Sequence, residues 1–297
     1  TGLRGTHRLD NGTILKGALR LIIDTHTHFY DPSRPQGVPW PSPDSGQLYR
    51  TVLPEHYRAL AEPEGVTGTV VVEASAWLED NQWILDLAEA DPFIVGLVGH
   101  IDPARDAFAD ELARYADHPR FCGIRCGSGY FTAEPEGDFL RDMALLASRD
   151  LVLDVLLGTD QFPTLMTLAE SLPALRIVIN HIGHVPIDGS LPNETWVSGI
   201  ERLSQHDNVY MKVSAVMEQS TQQPAPTEDG FYAPTLEALW QVFGAERLIY
   251  GSNWPVCERA GSFADAFAIV RRFFDGKGPV AAQRYFGGNA RAVYRWG

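Results

Sequence analysis

Ile23-Asp24-Thr25-His26-Thr27-His28 stands at the end of the first of eight short apolar, β-branched runs, and the rhythm of those runs decides the fold. The first covers Leu19–Asp24. Thr69–Glu73, Phe93–His100, Phe121–Arg125, Leu151–Leu156, Leu175–His181, Val209–Val213 and Arg247–Gly251 follow. Runs this short and this apolar read as strands buried on both faces. Between them the spacing turns helical. Phe108, Leu112 and Tyr115 recur at i, i+4, i+7, and Trp83, Leu87 and Ala90 share a stripe after the acidic start Glu79–Asp80. Alternating strands and helices, with strands covered on both sides, imply a parallel sheet. Eight such units in 297 residues predict an α/β fold closed as a (β/α)8 TIM barrel rather than an open doubly wound sheet. No GxGxxG or GxxxxGK[ST] follows any of the runs, which removes the usual nucleotide-binding reason for an open sheet.

Residues 1–297 read as a single domain, with 1–18 as an N-terminal extension. Two stretches interrupt the rhythm. Residues 29–54 are rich in Pro and Gly but carry Tyr30, Trp40 and Tyr49, which a flexible linker would not need; they predict a structured lid over the barrel top. Residues 218–230 are polar and Pro-bearing and predict a mobile loop at the same end. The tail from Gly278, with helix-like 281–285 and 290–296, is expected to seal the outer layer.

Composition narrows the partners. There are 24 Lys and Arg against 38 Asp and Glu, a net charge of −14, with 44% hydrophobic and 21% charged residues. Such a chain buries a sizeable core, and its charge repels phosphate backbones and anionic lipid, so neither nucleic acid nor membrane is an expected partner. A small-molecule substrate is expected, and a homo-oligomer is left open. No run approaches a membrane span, and Cys122, Cys126 and Cys257 lack metal-knuckle spacing, so they read as reduced, buried thiols. The cytoplasm is the expected compartment; a removed leader stays open because the chain begins without Met.

Along a strand, alternate side chains share a face, so Asp24, His26 and His28 are expected to point into the barrel with His28 uppermost. Two imidazoles at i, i+2 on a strand rim can chelate a divalent metal or clamp a substrate oxygen. Glu73, on the face of Val71 and Ser75, is expected to point inward as a candidate base. His184 can serve as base, ligand or loop filler. Arg125 and Lys212 are cations at strand ends: each forms an internal ion pair, with Glu73 or Asp154 among the partners, or binds a substrate oxygen and stabilises an oxyanion. Trp254, Trp40, Tyr30 and Trp77 offer an aromatic wall for a substrate or simply pack. His7, His56, His100, His118 and His206 read as structural.

Three segments, IIDTHTHFYDPSRPQGVPWP, the NHIGH after the sixth run and IYGSNWPVCERAGSF after the eighth, resemble the amidohydrolase-related (amidohydrolase 2) family of metal-dependent-hydrolase-like barrels. Within it they are most similar to the sugar-lactone and 2-pyrone-4,6-dicarboxylate lactonases. The resemblance runs from about residue 19 to 295. It implies a distorted TIM barrel with the site at the C-terminal strand ends, hydrolysing an ester-like or amide-like bond with water. On the family's pattern, His26, His28 and His181 match the metal-binding histidines, and Asn253 stands where the hydrolases carry Asp. The strand-five histidine has no counterpart in Asp154-Val155-Leu156-Leu157. The resemblance thus implies either one divalent metal, zinc first, on His26, His28 and His181, or none. An amide at 253 cannot serve as a general base. The expected function is opening of a small lactone by activated water. Amide hydrolysis or decarboxylation on the same barrel is the alternative, or a non-catalytic binding homologue that lost the strand-eight Asp.

Overall fold

The computed structural model describes residues 21–297, so the expected extension 1–18 lies outside the described residues. Among the described residues, eight parallel strands pair in chain order. They are β1 Ile23–Thr27, β2 Gly68–Val72, β3 Ile94–Gly99, β4 Phe121–Gly127, β5 Val152–Leu156, β6 Arg176–Ile179, β7 Val209–Val213 and β8 Leu248–Tyr250. The seam between β8 and β1 closes just above β8, where Asn253 N donates to His26 O and His28 N donates to Trp254 O, each at 2.9 Å. The expected TIM barrel is present.

Helices cover the sheet: α1 Pro54–Ala61, α2 Glu79–Ala90, α3 Phe108–Ala113, α4 Gly137–Ser148, α5 Phe162–Ser171, α6 Glu194–Leu203, α7 Asp229–Phe243 and α8 Phe263–Gly276. Phe108, Leu112 and Tyr115 are buried as their spacing requires. On α2 the stripe differs from expectation. Ile84, Leu85 and Ala88 are buried while Ala90 is exposed, because the helix turns a neighbouring face inward and leaves Trp83 to stack under the Arg34 guanidinium, 4.3 Å away. No helix of the described residues is long and apolar enough to cross a membrane.

The tail corrects a further expectation. It forms α9 Pro279–Gln283 and α10 Asn289–Tyr294, but Tyr294 and Trp296 pack with Ile23, Val70, Val98, Val152 and Ile249 inside the barrel. They plug its floor, where apolar strand residues would otherwise face water. All three cysteines are free and buried, and burial pushes the Cys122 thiol up to about 12.

Residues 29–54 are fastened down. Tyr30 pairs with Val52 through backbone bonds, and the Tyr30 hydroxyl donates to Leu48 O at 2.8 Å. Arg34 grips Asp80 of α2 with both terminal nitrogens. The second loop is not free at its start: Ser220 bridges to Ile187, and Glu218 Oε1 accepts from the Asn253 amide.

Candidate active site

The pairing of β1 with β2 slips between Asp24 and Thr27, a bulge that breaks strict alternation. Ile23 faces the barrel interior, so Asp24 alternates outward, and the bulge after it returns His26 to the inner side. Its carboxylate accepts from the Tyr57 hydroxyl of α1 at 2.5 Å and from the backbone N–H groups of Ser252 and His26 at 2.8 and 3.0 Å. From behind the sheet it ties both sides of the β1–β8 seam. His26 and His28 turn toward the barrel mouth, their rings 5.0 Å apart, and His181 meets His26 at 4.4 Å.

Each imidazole is neutral. Nδ1 of His28 lies 2.9 Å from Val72 O; a carbonyl only accepts, so Nδ1 carries the proton and Nε2 keeps its lone pair. Burial, aided by the Arg125 charge, holds His28 down at about 3. Burial also lowers His26 and His181, which are further repelled by neighbouring rings and cations. Both ring nitrogens of His26 are buried and lack a partner among the described residues. His181 Nδ1 is 2.8 Å from the Ser214 hydroxyl.

His181 sits past the end of β6 rather than in it, in a turn of left-handed backbone: φ is 54° at His181, 51° at Ile182, 64° at Gly183 and 54° at His184. A β-branched residue rarely adopts such a φ. The Ile182 carbonyl is held by Trp196 Nε1 of α6 at 3.0 Å, and a Cβ on Gly183 would come within 2.7 Å of the Phe162 ring. Asn253 and Ala215, above β8 and β7, share the left-handed conformation at 63° and 55°. Strain of about 1–3 kcal/mol per such residue persists only where the surroundings enforce it, and here it collects around one opening.

That opening is a cavity of about 460 Å³, lined by His28, Trp40, Arg125, His181, His184, Glu218 and Asn253 among others. Sequence reasoning missed Glu218, whose one signal is a lone carboxylate in Ala-Val-Met-Glu, five residues past β7. Asn253 Nδ2 donates to its Oε1 at 2.9 Å, while Oε2 is buried without a partner among the described residues. Burial raises this carboxyl to about 7. Opposite stands Arg125 of β4, whose Nε donates to Glu73 Oε1 at 2.8 Å and whose Nη2 donates to the Glu73 carbonyl at 3.0 Å.

The amidohydrolase family model matches residues 23–296. The chain belongs to the amidohydrolase family. It is 34% identical to an L-fucono-1,5-lactonase of Burkholderia ambifaria, over 92% of this chain and 95% of that protein. An L-fucono-1,5-lactonase of Burkholderia multivorans is 26% identical over 94% and 96%. Among solved structures, an amidohydrolase of Burkholderia multivorans with bound zinc superposes with a TM-score of 0.81 at 25% identity, covering 93% of this chain and 100% of that one. The chain is a hydrolase on this family's barrel.

Against this amidohydrolase site, the expected residues divide. His28, His181, His184, Asn253, Arg125 and Trp40 line the cavity, with Trp40 edge-on to His28 at 5.8 Å, and His26 lies against the histidines from below. Glu73 lies outside that lining, engaged by Arg125. Trp254 is buried against Phe29 and Tyr57, Tyr30 packs within residues 29–54, and Trp77 is more than a third exposed away from the lining; none forms a wall of the cavity. Lys212 corrects the substrate-binding expectation. It is wholly buried below the histidines, donating to Asp154 Oδ2 at 2.6 Å and to Thr25 O at 2.9 Å. Its length and the inward register of β7 bring it to the carboxylate rather than the mouth. Because removing one partner of a buried pair strands the other charge, Lys212→Met is expected to cost about 3–5 kcal/mol in denaturant unfolding. Lys212→Met/Asp154→Leu should recover most of that loss; an equally unstable double variant would contradict the pairing argument.

Proposed function

We propose that the cavity opens a small sugar-acid lactone, with Glu218 as the general base, Arg125 as the oxyanion donor and Asn253 as the residue that positions Glu218. Lactone hydrolysis is the activity to which the full-length likeness to two L-fucono-1,5-lactonases points, and an L-fucono-1,5-lactone type of ring is the substrate class we assign. The observation that carries the assignment of roles is the free, buried Oε2 of Glu218, on a carboxyl held near neutrality inside the cavity. A base with its pKa near the working pH is half available and still strong enough to take a proton from water.

Water between Glu218 and the lactone carbonyl loses its proton to Oε2 as its oxygen attacks. The carbonyl electron pair moves onto oxygen, where the Arg125 guanidinium stabilises the charge. When the tetrahedral centre collapses, the ring C–O bond breaks and the protonated Glu218 returns its proton to the departing alkoxide. The hydroxy acid leaves as its carboxylate. Trp40 covers the mouth and supplies apolar surface for the sugar.

The histidine donors also fit a divalent cation, zinc first. His26 has two unpartnered nitrogens, while the His28 ring also meets the Asn253 side chain, and among the described residues no three His, Cys, Asp or Glu groups already stand arranged as a metal site. His26, His28 and His181 would hold the ion, which when bound supplies a Lewis acid for the carbonyl.

The test is acid release from a panel of aldonolactones, with and without added zinc, followed by pH-stat. Turnover of six-carbon 1,5-lactones is expected, whereas turnover confined to amides or to decarboxylation substrates would overturn the assignment. Asn253→Asp sharpens it. The new carboxyl would stand beside Glu218 Oε1, and two carboxyls in contact cannot both ionise. The acid limb of kcat/KM should move up by a pH unit or more, and an unmoved limb would show that Glu218 is not the group that titrates.

A further inference from the structure

A second chamber opens beside the reaction cavity. It measures about 350 Å³ and shares Glu218 and Val256 with it, its remaining wall coming from Gln223, Arg259 and Ala260. Its wall holds one carboxyl, Glu218, and one guanidinium, Arg259. The protein carries −14 overall, yet the exposed Arg259 guanidinium has neither an ion pair nor a hydrogen bond among the described residues. The carboxylate beside it in sequence is engaged elsewhere: Glu258 accepts from Arg50 Nη2 at Oε2, 2.6 Å, and from Trp254 Nε1 at Oε1, 2.8 Å. The Gln223 amide, which has no partner among the described residues either, adds further donors to the same wall.

The proposed reaction changes its ligand in one respect that such a chamber can sense. The lactone is neutral and compact, while the hydroxy acid is an anion and, once its ring is open, a longer chain. With Glu218 as the base, the ring opens against the wall that the two cavities share, so the lengthening chain has room on the far side of that residue. A carboxylate entering the chamber also comes to the Arg259 cation, which no carboxylate of the described residues pairs. We infer that this chamber is an exit subsite for the opened acid, in which Arg259 and Gln223 hold the product carboxylate and do not serve the neutral lactone. The inference rests on the lactonase reading above.

L-fuconate is the probe, since it is the acid of the ring assigned as substrate. Calorimetric binding of L-fuconate, together with its inhibition of lactone opening, should weaken about two- to fivefold in Arg259→Gln, the range for one partly exposed ion pair. The loss should be larger in Arg259→Glu. It should fall on product affinity rather than on KM for the lactone, and raised salt should weaken L-fuconate binding to the wild type more than to Arg259→Gln. Arg202→Gln, on the exposed side of α6, is the charge-matched control and should change nothing. Equal affinity of wild type and Arg259→Gln for L-fuconate, or no binding by the wild type, would overturn the subsite. If no lactone is opened but L-fuconate binding still depends on Arg259, the catalytic reading fails and the chamber stands; turnover with Arg259-independent binding would keep the catalytic reading and remove the subsite.

Discussion

Glu218→Gln is expected to lower kcat by about 10²–10⁴-fold, the contribution of a positioned general base, while the protein stays folded. The substitution keeps an oxygen to accept from Asn253 Nδ2 and removes only the ability to take a proton. Its effect on stability has a definite sign. The folded carboxyl titrates at about 7 against an ordinary 4.5, so between those values the native state holds a proton that the unfolded chain has released. Folding stability therefore falls as pH rises from about 4.5 to 7 and remains lower above, by about 3 kcal/mol if the whole shift is realised. Gln escapes that loss. The variant should melt higher than wild type at pH 8 and equally at pH 4. Wild-type kcat/KM should climb with pH through about 7, and His28, held near 3, contributes no inflection there. A variant with kcat within tenfold of wild type would remove Glu218 from the chemistry.

Why the sequence revealed the barrel but only half of this site follows from where each kind of information resides. Strands β2 to β8 were legible because burial on both faces demands unbroken apolar runs, and their observed limits differ from the expected ones by a few residues. The first strand lies later than its run, at Ile23–Thr27, and its bulge leaves Asp24 and His26 on opposite faces; a bulge leaves no trace in a hydrophobic pattern. Lys212 and Asp154 were visible as ionisable residues in apolar strands, but only the closed barrel shows that the two meet beneath the histidines. Glu218 was hidden by its neighbours. The polar, Pro-bearing stretch that follows it reads as solvent-exposed loop, whereas left-handed backbone at Ala215 and the bridge between Ile187 and Ser220 fold its first residues back over the cavity. The tail, amphipathic like any outer helix, places Tyr294 against Asp154 through a 3.0 Å hydrogen bond, a contact across 140 residues that no local pattern encodes.

Arg125→Met is expected to reduce kcat/KM by about 10²–10³-fold, corresponding to the ~2.7–4 kcal/mol that one oxyanion donor contributes. Arg125 is also half of an ion pair, with side chains only 15% exposed on either partner, so the single variant strands Glu73 and should unfold more easily. The two consequences separate in Arg125→Met/Glu73→Gln, where no charge is stranded. Stability should return toward wild type while kcat stays low, because the guanidinium is still missing at the carbonyl. Glu73→Gln alone decides between the two carboxylates. Its amide oxygen can still accept from Arg125 Nε, so a Glu73 that only holds Arg125 predicts a loss within about tenfold, whereas a Glu73 acting as general base predicts the 10²–10⁴-fold loss assigned above to Glu218. Stopped-flow acid release and denaturant melts on the four proteins measure both quantities. Recovery of kcat in the double variant would make Arg125 a structural partner of Glu73, and the oxyanion donor would then have to come from another group on the cavity wall.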